Sequence, residues 1–198
     1  GGLAIRGAAD FMKRWEPTYA TYLNETVGKA LNISFEAVPM NFAETFDLVG
    51  SKAIDFIYTN PSAFSCVESE YGVAPIVSLR NFRKGFTLNQ FGGTIFTRSN
   101  RTDINTIHDL RDKIVEAVSI TGLGACQMQW RLMIEKGINF LVDPAQVVFA
   151  FNQKKIVRDV IAGNADVGFV RTDMAEGMDS AGEINISDIK VIEPIDLG

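Results

Sequence analysis

Between Leu3 and Ile192 the apolar residues change period again and again, and this switching leaves the chain few architectures to choose from. Short apolar or alternating runs occur at 3–5, 33–38, 55–59, 73–79, 93–97, 114–118, 147–151, 167–170 and 189–192. Each has the length and composition of a strand. Between them lie stretches with helical spacing. Phe11, Trp15, Tyr19 and Tyr22 form one helix face, with Pro17 expected to kink or split the helix. Further helices are predicted over 42–49, from Pro61 onward, and over 122–136, 153–162 and 172–178. Asn60-Pro61 reads as an N-cap followed by a first helical proline, and Thr106 to Asp109 as a capping box. Strands alternating with helices predict an α/β chain with largely parallel sheets.

Composition narrows the chemistry. The 198 residues carry 19 Lys plus Arg against 24 Asp plus Glu, a net charge of −5, which argues against nucleic acid as a partner. Cys66, Cys126 and a single histidine, His108, leave little for a zinc site, another metal site or a histidine-based triad, so neither metal nor cofactor is expected. A Cys66–Cys126 disulfide is not expected. No apolar run is long enough to span a bilayer. The opening Gly1-Gly2 reads as an edge beyond which a targeting segment could once have stood. Four Asn-x-Ser/Thr sequons begin at Asn24, Asn32, Asn100 and Asn185, and they carry glycans only in a secreting eukaryote.

Four places join a predicted strand end to a helix start with polar residues. Arg6-Gly7 offers a cation beside a flexible backbone, although a surface arginine is the stronger reading of the residues alone. Tyr58-Thr59-Asn60-Pro61-Ser62, with Phe64 one turn on, supplies hydroxyls and helix-start amides suited to an oxyanion, or simply a cap. Thr121-Gly122-Leu123-Gly124 places hydroxyl and glycines at a helix start but lacks the lysine and spacing of a nucleotide loop. Arg171-Thr172-Asp173 brings a planar cation suited to carboxylate, phosphonate or sulfonate groups, or to an ion pair with Asp173 or Glu176. His108 reads as a solvated helix residue. Cys126 could be a helix-start thiolate, and buried packing is the stronger reading.

Asp55 to Asn60 and Asp166 to Arg171 share a layout: a preceding helix and glycine turn, an aspartate leading a strand, and a helix at its end. Ligands of open α/β sheets bind at such strand ends. With these stand Ala4-Ile5-Arg6-Gly7 followed by Arg14 to Thr18, Gly92 to Arg98 followed by Arg101 to Ile104, and Gly163 to Gly168. As a set, in this order, they resemble the phosphonate-binding-like branch of periplasmic solute-binding proteins, in the version used as the sensor region of tetrathionate-sensor-type histidine kinases.

The resemblance implies a type 2 periplasmic-binding-protein fold: two α/β lobes, a ligand cleft and a hinge crossed twice, near 88–93 and 171–177. It would give 1–90 plus 177–198 to lobe 1 and 91–176 to lobe 2. It implies an extracytoplasmic sensor domain, not an enzyme, that takes up a small anion (phosphonate, phosphate, sulfur oxyanion or carboxylate) by cleft closure. Tethering to a membrane follows if the protein is a sensor, and a homodimer is compatible. The alternative is the solute-binding protein of an ABC transporter for phosphate- or phosphonate-like anions. The implied site is Arg6, Tyr58, Asn60, Ser62, Thr121, Gly122, Leu123, Gly124, Arg171 and Thr172, with Phe64 as a further wall. The family's serine-and-glycine loop carries fewer hydroxyls here, and the chain stops before the segment that usually completes lobe 1.

Overall fold

A computed structural model describes residues 1–83 and 85–195. The chain divides into two compact units, Gly1–Val73 and Ala74–Gly198.

In the first unit β1 (Gly2–Leu3) pairs in parallel with β2 (Pro39–Met40), and Gly2 bridges in parallel to Tyr58 on its other side. Bonds from Leu3 N to Tyr58 O (3.0 Å) and from Ala4 N to Met40 O (2.8 Å) complete this short sheet. A helical run covers 8–31: α1 (Ala8–Trp15), a wide π turn at Glu16–Ala20, α2 (Thr21–Leu23), a second π turn at Asn24–Gly28 and α3 (Lys29–Leu31). Pro17 therefore neither splits nor ends the helix. The missing N–H is absorbed by a wider turn, in which the Thr21 amide donates to Glu16 O, and the Thr18 hydroxyl donates to Arg14 O at 2.5 Å. α4 (Phe42–Gly50) starts with a capping box made by Asn41 and Glu44. α5 (Pro61–Tyr71) starts at the predicted Asn60-Pro61. Phe11, Met40, Phe42, Ala63 and Val67 are buried between these elements.

The predicted strand over 33–38 is not formed. The Asn24 side chain pairs with the Phe35 backbone instead, accepting from its N–H at 2.6 Å and donating to its carbonyl at 2.9 Å. The amide that a glycan at the Asn24 sequon would occupy is thus already engaged. Of the strand predicted over 55–59, only Tyr58 pairs.

The second unit holds a hairpin of β3 (Asn81–Arg83) and β4 (Phe86–Leu88), and a five-stranded sheet ordered β7-β6-β8-β5-β9. The sheet strands are β5 (Gly93–Arg98), β6 (Ile114–Ala117), β7 (Gln146–Phe149), β8 (Val167–Arg171) and β9 (Ile189–Ile195). β6, β7 and β8 are parallel, whereas β5 runs antiparallel to both its neighbours. Helices α6 (Gln127–Glu135), α7 (Gln153–Ala162) and α8 (Met174–Ser180) connect them. Ile95, Ile104, Leu110, Val115, Met133, Phe140 and Phe169 form the core.

Two expectations change here. The 73–79 run finds no strand partner, and Ile76 and Val77 lie exposed, so its apolarity does not mark a buried strand. The helix predicted over 122–136 is two pieces: a 3-10 turn at Leu123–Ala125 and then α6, with Cys126 leaving helical geometry between them (φ −169°, ψ −63°). The tail that the resemblance gives to lobe 1 supplies β9, which pairs with β5. Residues 196–198 of that expected tail lie outside the described residues.

Glu116, on the interior strand β6, is buried against α7, where Lys155 lies 3.4 Å from its carboxylate and also pairs with Asp159. Burial, and then the neighbouring Asp159 charge, push its carboxyl up to about 6, partly opposed by Lys155. A raised carboxyl pKa means that the native state holds the proton longer than the unfolded chain does. Stability is therefore lost as pH rises from the ordinary value of 4.5 through about 6. Glu116→Gln is expected to raise stability by about 1 kcal/mol at pH 7.5 and to leave it nearly unchanged below pH ~4.5, as read by urea melts at the two pH values.

Candidate functional site

Parallel strands put all their carboxyl ends on one edge, and in each unit the predicted site residues gather there. In the first unit this edge consists of Ala4 to Gly7 after β1, Asn41 after β2 and Thr59-Asn60 after Tyr58. Arg6 lies in the turn closed by a bond from Gly7 N to Ala4 O (2.8 Å). Gly7 has φ +101°, a conformation that favours glycine there. Tyr58 is half-exposed and packs on Trp15 with ring centroids 4.6 Å apart, and Trp15 continues to Phe11 and Tyr19. The aromatic face of α1 therefore fixes the Tyr58 ring.

Asn60 does two jobs. Its Oδ1 accepts from Ser62 N (3.0 Å) and Ala63 N (3.2 Å), and its backbone carbonyl accepts from Phe64 N (2.9 Å). With Pro61 lacking an N–H, the first-turn amides of α5 are spent on the cap. The helix-start amides expected to meet an oxyanion are thus engaged, and the donors left at this edge are side chains. Asn60 Nδ2 and Thr59 Oγ1 are both buried without a hydrogen-bond partner. Two polar atoms in that state are costly unless something else satisfies them. Thr59 lies within the Tyr58–Ser62 segment, and only packing distinguishes its hydroxyl from that of any other strand threonine.

In the second unit the edge holds Ser119 to Gly124 after β6, Phe151 after β7, Arg171-Thr172 after β8, and Phe91-Gly92 entering antiparallel β5. The Thr121 hydroxyl lies 3.3 Å from Ser119 Oγ. The Gly122 amide, expected to face a ligand, donates instead to Ser119 O at 2.9 Å. A Cβ on Gly122 would come within 2.4 Å of Val118, so this turn closes only around glycine. A Cβ on Gly124 would fall 2.5 Å from the Phe91 ring and 3.1 Å from Arg171 Cβ. Hence the structure brings the loop that holds Thr121, Gly122, Leu123 and Gly124 directly against Arg171. The Thr172 hydroxyl accepts from Gly92 N at 3.0 Å, and the Thr172 amide donates to Gly92 O at 3.0 Å. Thr172 clamps β8 to the entry of β5, which engages the hydroxyl expected to donate to a ligand.

Phe151 was missed by the sequence reading. It lies half-exposed at this edge with φ +55°, a left-handed conformation that a bulky residue seldom adopts, and its amide is bound to Val118 O at 2.9 Å. A single apolar residue at a strand end carries no sequence signal of its backbone strain.

Cys66 and Cys126 are free thiols. Burial pushes the Cys126 thiol up to about 12, so at neutral pH it offers no thiolate nucleophile. No helix of the described residues is long and apolar enough to cross a membrane.

The family described as the periplasmic substrate-binding protein of phosphonate ABC transporters matches residues 4–197. The chain belongs to this family. A curated relative is the tetrathionate sensor histidine kinase TtrS of Salmonella typhimurium, 24% identical over 196 residues. That match takes in 95% of this chain but 31% of the kinase, so the chain spans about a third of its relative's length. Among solved structures, PhnD1 of Prochlorococcus marinus, in complex with methylphosphonate, superposes with a TM-score of 0.79 at 13% identity, over 98% of this chain and 70% of that one. XAC2383 of Xanthomonas citri, bound to ATP, gives 0.73 at 14% identity, over 98% and 71%. The fold is accordingly that of the type 2 periplasmic binding proteins, as the resemblance implied.

Proposed function

We propose that this phosphonate-binding family member is the extracytoplasmic ligand-sensing module of a membrane signalling protein of the histidine-kinase type, and that it recognises a small anion. The family's periplasmic character supports the extracytoplasmic location, and the likeness to a sensor kinase supports the signalling role. The chemistry rests chiefly on one observation: at the first unit's strand ends, Asn60 Nδ2 and Thr59 Oγ1 are buried donors that the protein itself leaves unsatisfied. On this reading Asn60, Thr59 and Ser62, with Arg6 and Tyr58, serve the anion from the first unit. Within the second unit, Arg171, with Thr121 and the Leu123-Gly124 backbone, offers groups of the same anion-binding kind. Arg171 contributes a fork of donors matched to a planar or tetrahedral oxyanion, so a negative charge on the protein as a whole does not oppose binding. The two similar structures hold methylphosphonate and ATP, both phosphorus oxyanions, which supports that ligand class.

The proposed output is a population shift. A ligand that binds one conformation of the module better than another shifts the population toward it, and only that differential affinity moves the equilibrium. The module binds rather than catalyses. A second reading, delivery of phosphate- or phosphonate-like anions to a transporter, is favoured by the family description itself. The two readings separate on whether a membrane span and kinase follow the module in the full gene product.

A thermal-shift panel of phosphate, methylphosphonate, tetrathionate, sulfate and a dicarboxylate tests the anion reading. At 100 times its dissociation constant a true ligand adds about 2.7 kcal/mol of stability. Unmoved melting curves across the panel would overturn it.

A further inference from the structure

We infer that Gln129 is a positioning residue for this binding edge: its buried side-chain amide locks the Thr121–Gly124 loop and the end of β8 into the arrangement that sets the loop beside Arg171. The inference rests on the anion reading above and adds a residue that contributes to binding from inside the core.

Gln129 lies on α6 and is fully buried. Its Nε2 donates to Gly124 O at 3.0 Å, to Val170 O at 3.1 Å and, at longer range, to Thr94 O at 3.4 Å. These three carbonyls belong to the loop, to β8 one residue before Arg171, and to β5. A terminal NH2 has two hydrogens, so the third contact is a shared one. The amide orientation is fixed by its surroundings, because an oxygen in that place would face three carbonyl oxygens. Gln129 Oε1, in turn, is buried without a hydrogen-bond partner. A residue kept only to fill space would be Leu or Met, which leave no acceptor unsatisfied.

The surroundings are shaped to admit this amide. A Cβ on Gly93 would fall 2.4 Å from Gln129 Nε2 and 2.9 Å from Gly124 O. On the other side of the sheet end, a second buried glutamine, Gln153, accepts from Arg171 N at 3.0 Å. The peptide that joins Val170 to Arg171 is therefore held at its carbonyl by Gln129 and at its amide by Gln153, and the loop pressed against Arg171 Cβ is held by the same Gln129 amide. Such a link lets α6 dictate the geometry of groups at the edge.

The test replaces Gln129 by Met, which conserves volume and removes the donors. Three readouts are taken on the whole chain: melting, hydrogen exchange of residues 118–127, and affinity for methylphosphonate by calorimetry. Exchange over 118–127 is expected to quicken at least ~10-fold, with the amides of Val115 and Phe169 as protected as in wild type, and affinity is expected to fall at least ~10-fold. Wild-type exchange over 118–127 would overturn the inference, as would a loosened loop with unchanged affinity. If Gln129→Met does not fold, Gly93→Ala displaces the same amide and is read the same way. If the wild-type chain ignores methylphosphonate and the rest of the panel, the anion reading falls alone, and the exchange result still decides whether Gln129 holds the loop.

Discussion

Arg171→Ala is expected to abolish the ligand-induced rise in melting temperature while the ligand-free chain still melts cooperatively. Arg171 ends β8 at the carboxyl edge of the sheet, with its Cβ against Gly124 and its amide bound to Gln153. The backbone contacts survive truncation, so the edge keeps its shape while losing its cation. Removing one partner of a close charged pair costs about 2–4 kcal/mol, a fall in affinity of at least ~30-fold. Arg171→Lys should recover only part of this, because a point charge does not replace a bidentate fork. A full shift in Arg171→Ala would place the anion elsewhere.

Asp166→Ala is expected to destabilise the second unit by about 2–3 kcal/mol, measured by urea unfolding at pH 7. One carboxylate oxygen of Asp166 pairs with Arg101, and the other accepts from Ile114 N at 2.8 Å, joining the start of β8 to the start of β6. Its backbone carbonyl also accepts from the buried Thr97 hydroxyl at 2.7 Å. Burial alone would raise the Asp166 carboxyl, but Arg101 and the Ile114 amide outweigh it and hold the carboxyl below its ordinary value of 3.8. A depressed carboxyl pKa contributes stability that is present above the unfolded-state value and lost as pH falls through the folded one. The gap between wild type and Asp166→Ala should therefore close as pH drops below ~4. A gap that persists at pH 2 would assign the loss to packing rather than to the ionised pair.

The alternation of period made the α/β architecture legible, and it did so best where strands are buried on both faces, as in β6 and β8. The cap signals worked for a simple reason: Asn60-Pro61 and Thr106 to Asp109 state their chemistry locally, and both starts occur as predicted. The 33–38 run misled because its apolar alternation is met by one asparagine side chain rather than by a neighbouring strand. Of the echoed pair only Asp166 leads a strand, since of 55–59 only Tyr58 pairs. Asp166 is a half-buried structural partner of Arg101 and Ile114, while Asp55 is exposed. At the strand-end edges, residue types are readable in the sequence but hydrogen-bond assignments are not. The α5 amides, the Gly122 amide and the Thr172 hydroxyl all look available in sequence, and each is engaged by a neighbour that only the fold supplies. Gln129 and Phe151 escaped notice because neither a core glutamine nor a strained aromatic has a local pattern.

Calorimetric titration of the intact chain with the panel anions bears most directly on the claim that this module binds a small oxyanion. The account predicts a saturable heat with about one anion per chain for at least one phosphorus or sulfur oxyanion, and no such heat with Arg171→Ala. A folded wild-type chain that gives flat titrations with every member of the panel would contradict it.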